Sequence, residues 1–176
     1  MKTSHQILTS LAIATVSAVS ALGFANPASA NEFGRAGDLT PGSYLGAGAS
    51  LTTDKGNPDD NLGANISGRY KFEDAPVSLR TSVLFGNGGT AVVPTISYDL
   101  PVGDRTNLFV GAGGSFVVDD NSTLLGDRNA YVVQPGVEVS LNENVLLYSN
   151  AIVAIDSFES GAGTTASFQG GVGFQF

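Results

Sequence analysis

Eight times between Tyr44 and Phe176 the sequence alternates apolar with polar or small residues at a period of two. Successive side chains of a β-strand point to opposite faces, so this period predicts two-faced strands and leaves no helical pattern to compete with them. In the last run Ala166, Phe168, Gly170, Val172, Phe174 and Phe176 interleave with Thr165, Ser167, Gln169, Gly171, Gly173 and Gln175. A second run sets Tyr131, Val133, Pro135, Val137, Val139 and Leu141 against Val132, Gln134, Gly136, Glu138 and Ser140. A third sets Ala64, Ile66, Gly68, Tyr70 and Phe72 against Gly63, Asn65, Ser67, Arg69 and Lys71. Less regular alternation covers residues 44–51, 77–85, 91–100, 107–118 and 145–156.

The connectors alternate in length. Residues 73–76, 101–105 and 142–144 are short turns, 86–90 is a compact glycine turn, and 53–61, 119–129 and 157–163 are longer. That asymmetry predicts an all-β, up-and-down antiparallel meander with one short-turn end and one long-loop end. Eight such strands close either as a soluble carrier with an apolar lumen or as a membrane barrel with an apolar exterior. Only 14% of the residues are charged, against about 25% in ordinary soluble domains. An exterior facing lipid accounts for that deficit. The alternative, a secreted or periplasmic lipocalin-like barrel binding an apolar ligand, would have to fill its core with the Gly and Ala of several strands.

The N-terminus predicts export. Met1-Lys2 is followed by a largely apolar stretch over residues 7–24 and by Ala28-Ser29-Ala30, the three parts of a secretory signal peptide. Ser10, Thr15, Ser17 and Ser20 interrupt the stretch, which argues against a retained anchor. The expected organisation is a signal peptide over 1–30, a polar lead-in over 31–41 and the barrel over 42–176. Cleavage after Ala30 leaves a chain without His, Met, Cys or Trp.

With the mature chain starting on the short-turn side, Tyr44, Tyr70, Phe72, Tyr98, Phe109, Tyr148, Phe174 and Phe176 fall near the short-turn end. Phe85, Phe116, Tyr131 and Phe168 fall near the long-loop end. Two aromatic bands separated by aliphatic and small residues form the girdles expected at the two membrane interfaces. On these features, and on the C-terminal Gly173-Phe174-Gln175-Phe176, the chain resembles the small outer-membrane β-barrels of the OmpA/OmpX type. The resemblance covers residues 44–176. It implies an eight-stranded transmembrane barrel in the outer membrane of a diderm bacterium, with outer-membrane lipid and the barrel assembly machinery as partners. It also implies that Phe176 is the terminal signal which that machinery reads.

The inward faces carry the remaining chemistry. Arg69, Lys71, Arg80 and Glu138 point into a lumen that eight strands make just wide enough for side chains to fill. Buried charges must be paired, so an ion-pair network of Glu138 with Arg80 and Arg69 is expected, with Asp99 and Asp156 as further members. Its expected role is a polar plug, with a narrow ion path as the functional alternative. Pro94 and Pro135 lie inside predicted strands and remove donors from the ladder, which predicts bulges or late strand starts.

Catalysis is not expected, because Ser-His and Asp-His arrangements cannot be built without histidine. Asp59-Asp60 and Asp119-Asp120 sit in polar loops as solvated charge. Weak Ca²⁺ binding by Asp54, Asp59 and Asp60, or by Asp119, Asp120 and Asp127, is the sharper alternative. Gly111-Ala112-Gly113-Gly114 lacks the lysine and the strand-to-helix context of a phosphate loop. Eight Lys and Arg and a net charge of −8 exclude nucleic acid as a partner. No cofactor is expected, and any surface partner would meet the long loops.

Overall fold

A computed structural model describes residues 39–53, 61–86, 89–118, 123–155, 157 and 163–176. The expected signal peptide, all of the lead-in before Leu39, and Asp54, Asp59, Asp60, Asp119, Asp120 and Asp156 lie outside the described residues.

The strands are β1 (Tyr44–Thr52), β2 (Leu62–Lys71), β3 (Val77–Gly86), β4 (Gly89–Pro101), β5 (Thr106–Val117), β6 (Ala130–Ser140), β7 (Val145–Ile155) and β8 (Thr164–Gln175). Each pairs antiparallel with its neighbours in sequence, and β1 pairs with β8, so the sheet closes into a barrel. Closure leaves no strand edge unpaired, which is what lets a sheet stand in lipid. The turns β2–β3, β4–β5 and β6–β7 gather at one end with the start of β1 and the end of β8, and the opposite ends of the strands, including the tight β3–β4 connection, form the other.

The prolines do not produce the expected bulges, nor do their strands begin late. Around Pro94 the β4–β5 register is unchanged, with Val92 opposite Phe116 and Thr95 opposite Gly113. Around Pro135 the β6–β7 register is likewise unchanged, with Val133 opposite Val153 and Gly136 opposite Asn150. On their other sides Pro94 pairs with Thr81 and Pro135 with Val110. An antiparallel residue exchanges its hydrogen bonds with one neighbouring strand. Each proline therefore interrupts one ladder locally and leaves the other intact, with no residue inserted.

The two faces differ in kind. Leu45, Ile66, Leu79, Ile96, Leu100, Val110 and Val172 are exposed on the outside, whereas Arg69, Arg80, Asp99, Gln134, Glu138 and Gln169 are buried inside. A soluble carrier requires the reverse.

Candidate functional site

The short-turn half of the lumen holds a four-membered charge cluster. Arg69 on β2 and Arg80 on β3 stand opposite each other in the ladder, an arrangement of like charges that is unfavourable alone. Asp99 on β4 and Glu138 on β6 supply the compensating carboxylates. Arg69 Nη2 lies 3.1 Å from Asp99 Oδ2, and Arg69 Nη1 lies 2.7 Å from Glu138 Oε2. Arg80 Nη2 lies 2.9 Å from Asp99 Oδ1, and Arg80 Nη1 pairs with Glu138 Oε1. Each arginine thus meets both carboxylates, and the cluster is neutral as a unit.

Surrounding groups take up the remaining donors and acceptors. Arg69 donates from Nε to Ser78 Oγ at 2.9 Å and from Nη1 to the Pro41 carbonyl at 2.9 Å. Arg80 Nε donates to Ser97 Oγ at 2.7 Å, and Asn107 Nδ2 donates to Glu138 Oε2 at 3.0 Å. Ser78 donates to Asp99. The Phe109 ring lies 3.5 Å from the Arg80 guanidinium carbon, a cation–π contact strengthened by burial. With both carboxylates engaged by arginines, the cluster presents no free base or nucleophile.

Lys71 does not join this cluster. It occupies the next inward position toward the short turns, half-exposed and opposite Ser78. Among the described residues it makes no ion pair with the other four. At the rim its ammonium keeps its hydration, so burial does not force a partner on it.

The aromatic residues divide by face. Tyr70, Phe72, Tyr98, Phe174 and Phe176 are exposed at the short-turn end, and Phe85, Phe116 and Tyr131 are exposed at the other. Phe168 lies half-buried on the outer face. Tyr44, Phe109 and Tyr148, expected in the girdle, are instead lumenal, with exposures of 3%, 6% and 3%. Their height along the strand fits a girdle, but their parity points inward, since Leu45, Val110 and Leu147 beside them face out. Inner-face glycines make the room. A Cβ on Gly46 would come within 2.8 Å of the Tyr148 ring, one on Gly173 within 2.8 Å of the Tyr44 ring, and one on Gly136 would strike Phe109. Tyr44 and Tyr148 stack with centroids 5.8 Å apart, and Tyr148 donates to Asn65 Oδ1 at 2.6 Å.

Above this lies a polar belt. Asn65 Nδ2 donates to Ser50 Oγ at 3.1 Å, Thr95 Oγ1 to Gln134 Oε1 at 2.8 Å, and Gln134 Nε2 to Asn150 Oδ1 at 3.2 Å.

The loop-end half is apolar on the side formed by β3, β4, β6 and β7, while Thr52, Ser115, Thr165 and Ser167 bury hydroxyls on the side formed by β1, β5 and β8. Leu84, Ala91, Val93, Val132, Ile152 and Ala154 line the apolar side, and Leu124 and Leu125 from the β5–β6 loop pack on it. The loop enters as a tight turn closed by bonds between Thr123 and Gly126, with Thr123 N to Gly126 O at 2.7 Å. Gly126 holds φ at +111°, a conformation that side-chain-bearing residues rarely adopt. The Leu-Leu pair inside an otherwise polar loop was the available signal in the sequence.

No family model matches the sequence, and no curated protein matches it. Solved structures do. The chain superimposes on a designed transmembrane β-barrel with a TM-score of 0.53 and 13% identity, over 79% of this chain and 99% of that one. It is similar to Ail, the attachment invasion locus protein of Yersinia pestis, with a TM-score of 0.52 and 14% identity over 78% and 100%. It is similar to Neisserial surface protein A with a TM-score of 0.53 and 15% identity over 76% and 97%. At such identities the likeness is one of fold: the chain is an eight-stranded, closed antiparallel β-barrel with the fold of these small membrane barrels.

Proposed function

We propose that the chain is a non-enzymatic barrel of a diderm outer membrane, exported by its N-terminal signal and closed along its lumen, that contributes to envelope structure or surface interaction. The observation that carries this reading is the inversion of the two faces. Large aliphatic and aromatic side chains are exposed outside while arginines and carboxylates are buried inside, which water would not stabilise and lipid does. The outer aromatics lie toward both ends, where lipid meets water. The closed lumen favours the plug over a porin-like pore, and Phe176, exposed at the end of β8, is available to the assembly machinery.

Expression of the full chain in a diderm host, followed by membrane separation and gel electrophoresis with and without boiling, tests this. Sedimentation with outer membranes and a heat-dependent mobility shift are expected. A water-soluble protein without detergent would instead support the secreted carrier and sink the membrane reading.

A further inference from the structure

The loop-end half of the lumen has the composition of a ligand chamber, and part of the chain sits in it. Its walls come from four strands, Leu84 on β3, Ala91 and Val93 on β4, Val132 on β6, and Ile152 and Ala154 on β7, all with exposures of 2% or less. What fills it is no wall residue but the side chains of Leu124 and Leu125, brought in by a loop. The wall is cut back where they enter: a Cβ on Gly63 would lie 2.5 Å from Leu124 Cδ1, and one on Gly86 would lie 2.8 Å from Leu124 Cγ.

The turn that carries the leucines closes on itself. Thr123 and Gly126 exchange backbone bonds, Thr123 Oγ1 donates to the Gly126 carbonyl at 2.7 Å, and Leu125 N donates to Thr123 Oγ1 at 3.2 Å. These bonds travel with the turn, so its withdrawal leaves them and the strand ladders paired and gives up the bond that Asp127 N donates to the Ser157 carbonyl at 3.2 Å. The leucines themselves are held by apolar burial, which another apolar group of similar size can replace.

A second observation lies at the chamber's edge. Neither Nε2 nor Oε1 of Gln169 has a hydrogen-bond partner among the described residues, nor do Ser167 Oγ and Ser115 Oγ, and all three residues are at least 97% buried. Ser167 faces Ile152 across the β7–β8 ladder, and Gln169 is the next inward residue below it. Ser115 faces Ala130, which packs on the apolar cluster. Buried polar atoms in folded proteins are ordinarily paired. Gln169 offers both a donor and an acceptor, which suits a neutral head group such as a hydroxyl or an amide; an anion would lack a cation there, since both buried arginines are engaged with carboxylates in the other half.

We propose that the loop-end half of the lumen is a binding chamber for a neutral amphiphile, an aliphatic chain of about eight carbons, the content of two leucine side chains, bearing a hydroxyl or amide head that meets Gln169. The Leu124–Leu125 turn is its built-in competitor and closes the chamber when no such molecule is present. The proposal extends the reading of a closed barrel and holds whatever the outer surface touches, because the chamber is internal.

The test uses methyl-labelled protein in lipid nanodiscs, its folding verified by heat-modifiability, titrated with 1-octanol. Saturable shifts are expected at the lumenal methyls of Val93, Val132 and Ile152, with the Leu124 and Leu125 methyls becoming reachable by a water-soluble paramagnetic agent. Shifts confined to outward methyls such as Leu45 and Ile96, rising in proportion to octanol without saturation, would overturn the chamber. Gln169→Leu should weaken octanol at least tenfold while leaving octane unchanged; equal affinity in the variant would overturn the head-group assignment. Leu124→Ala with Leu125→Ala should tighten octanol about tenfold by removing the competitor. If that variant does not fold, the wild-type titration decides alone.

Discussion

In the short-turn half of the lumen two arginines meet two carboxylates at fixed positions on four strands, whereas in the loop-end half two leucines of a loop pack against aliphatic walls. The first closure is directional. Every member is presented by a strand whose register is set by the ladder, and each of its four contacts depends on two neighbours. The second is non-directional, with its filler on a separate segment. Charge is thus buried where geometry is rigid, and apolar burial is used where the closing piece comes from outside the sheet.

The largest expected effect breaks the charged half. Glu138→Ala leaves Arg69 and Arg80 opposite each other with one carboxylate between them, and removing one partner of a buried ion pair costs about 3 to 5 kcal/mol. Urea unfolding of the barrel in lipid vesicles measures it. Leu124→Ala acts on the apolar half and should cost about 2 to 3 kcal/mol, near the low end for a buried leucine, because the loop can settle where a strand cannot. If the halves are independent, the double variant equals the sum within about 0.5 kcal/mol; a larger departure would show one cluster where two are described.

Smaller changes sharpen the same contrast. Gly126→Ala forces a side chain into a left-handed conformation and sets its Cβ 2.1 Å from the Ser157 carbonyl oxygen, so it should cost at least about 2 kcal/mol, with no effect on the charge cluster. Tyr148→Phe loses the bond to Asn65 and should cost about 0.5 to 1.5 kcal/mol, while Tyr70→Phe, on the outer face, should leave unfolding unchanged. Equal effects at the two tyrosines would return Tyr148 to the girdle from which its burial removes it.

How far the sequence could be read depended on whether one face of a strand was purely apolar. The runs containing Tyr70, Glu138 and Phe174 have one apolar face, and their inward and outward residues are legible from parity alone. In β5 and β7 both faces carry large apolar residues, Phe109 beside Val110 and Tyr148 beside Leu147. Height along the strand then suggested a girdle that parity denies. Arg69, Arg80 and Glu138 could be grouped because buried charge demands a partner, but the spacing of residues along a chain does not show that Lys71 stops at the rim. At Pro94 and Pro135 the missing donor is visible in sequence and predicts a bulge, whereas the side of the ladder that loses it is not visible there. The Leu124–Leu125 plug lay in a loop, where periodicity carries no information.

The most direct test of the two closures is the conductance of the folded protein in planar bilayers. A lumen sealed by both a neutral charge cluster and an apolar plug predicts no steady current in the wild type. Nor should current appear in Leu124→Ala or Glu138→Gln alone, since the other closure remains. A large, steady conductance from the wild type would contradict the account.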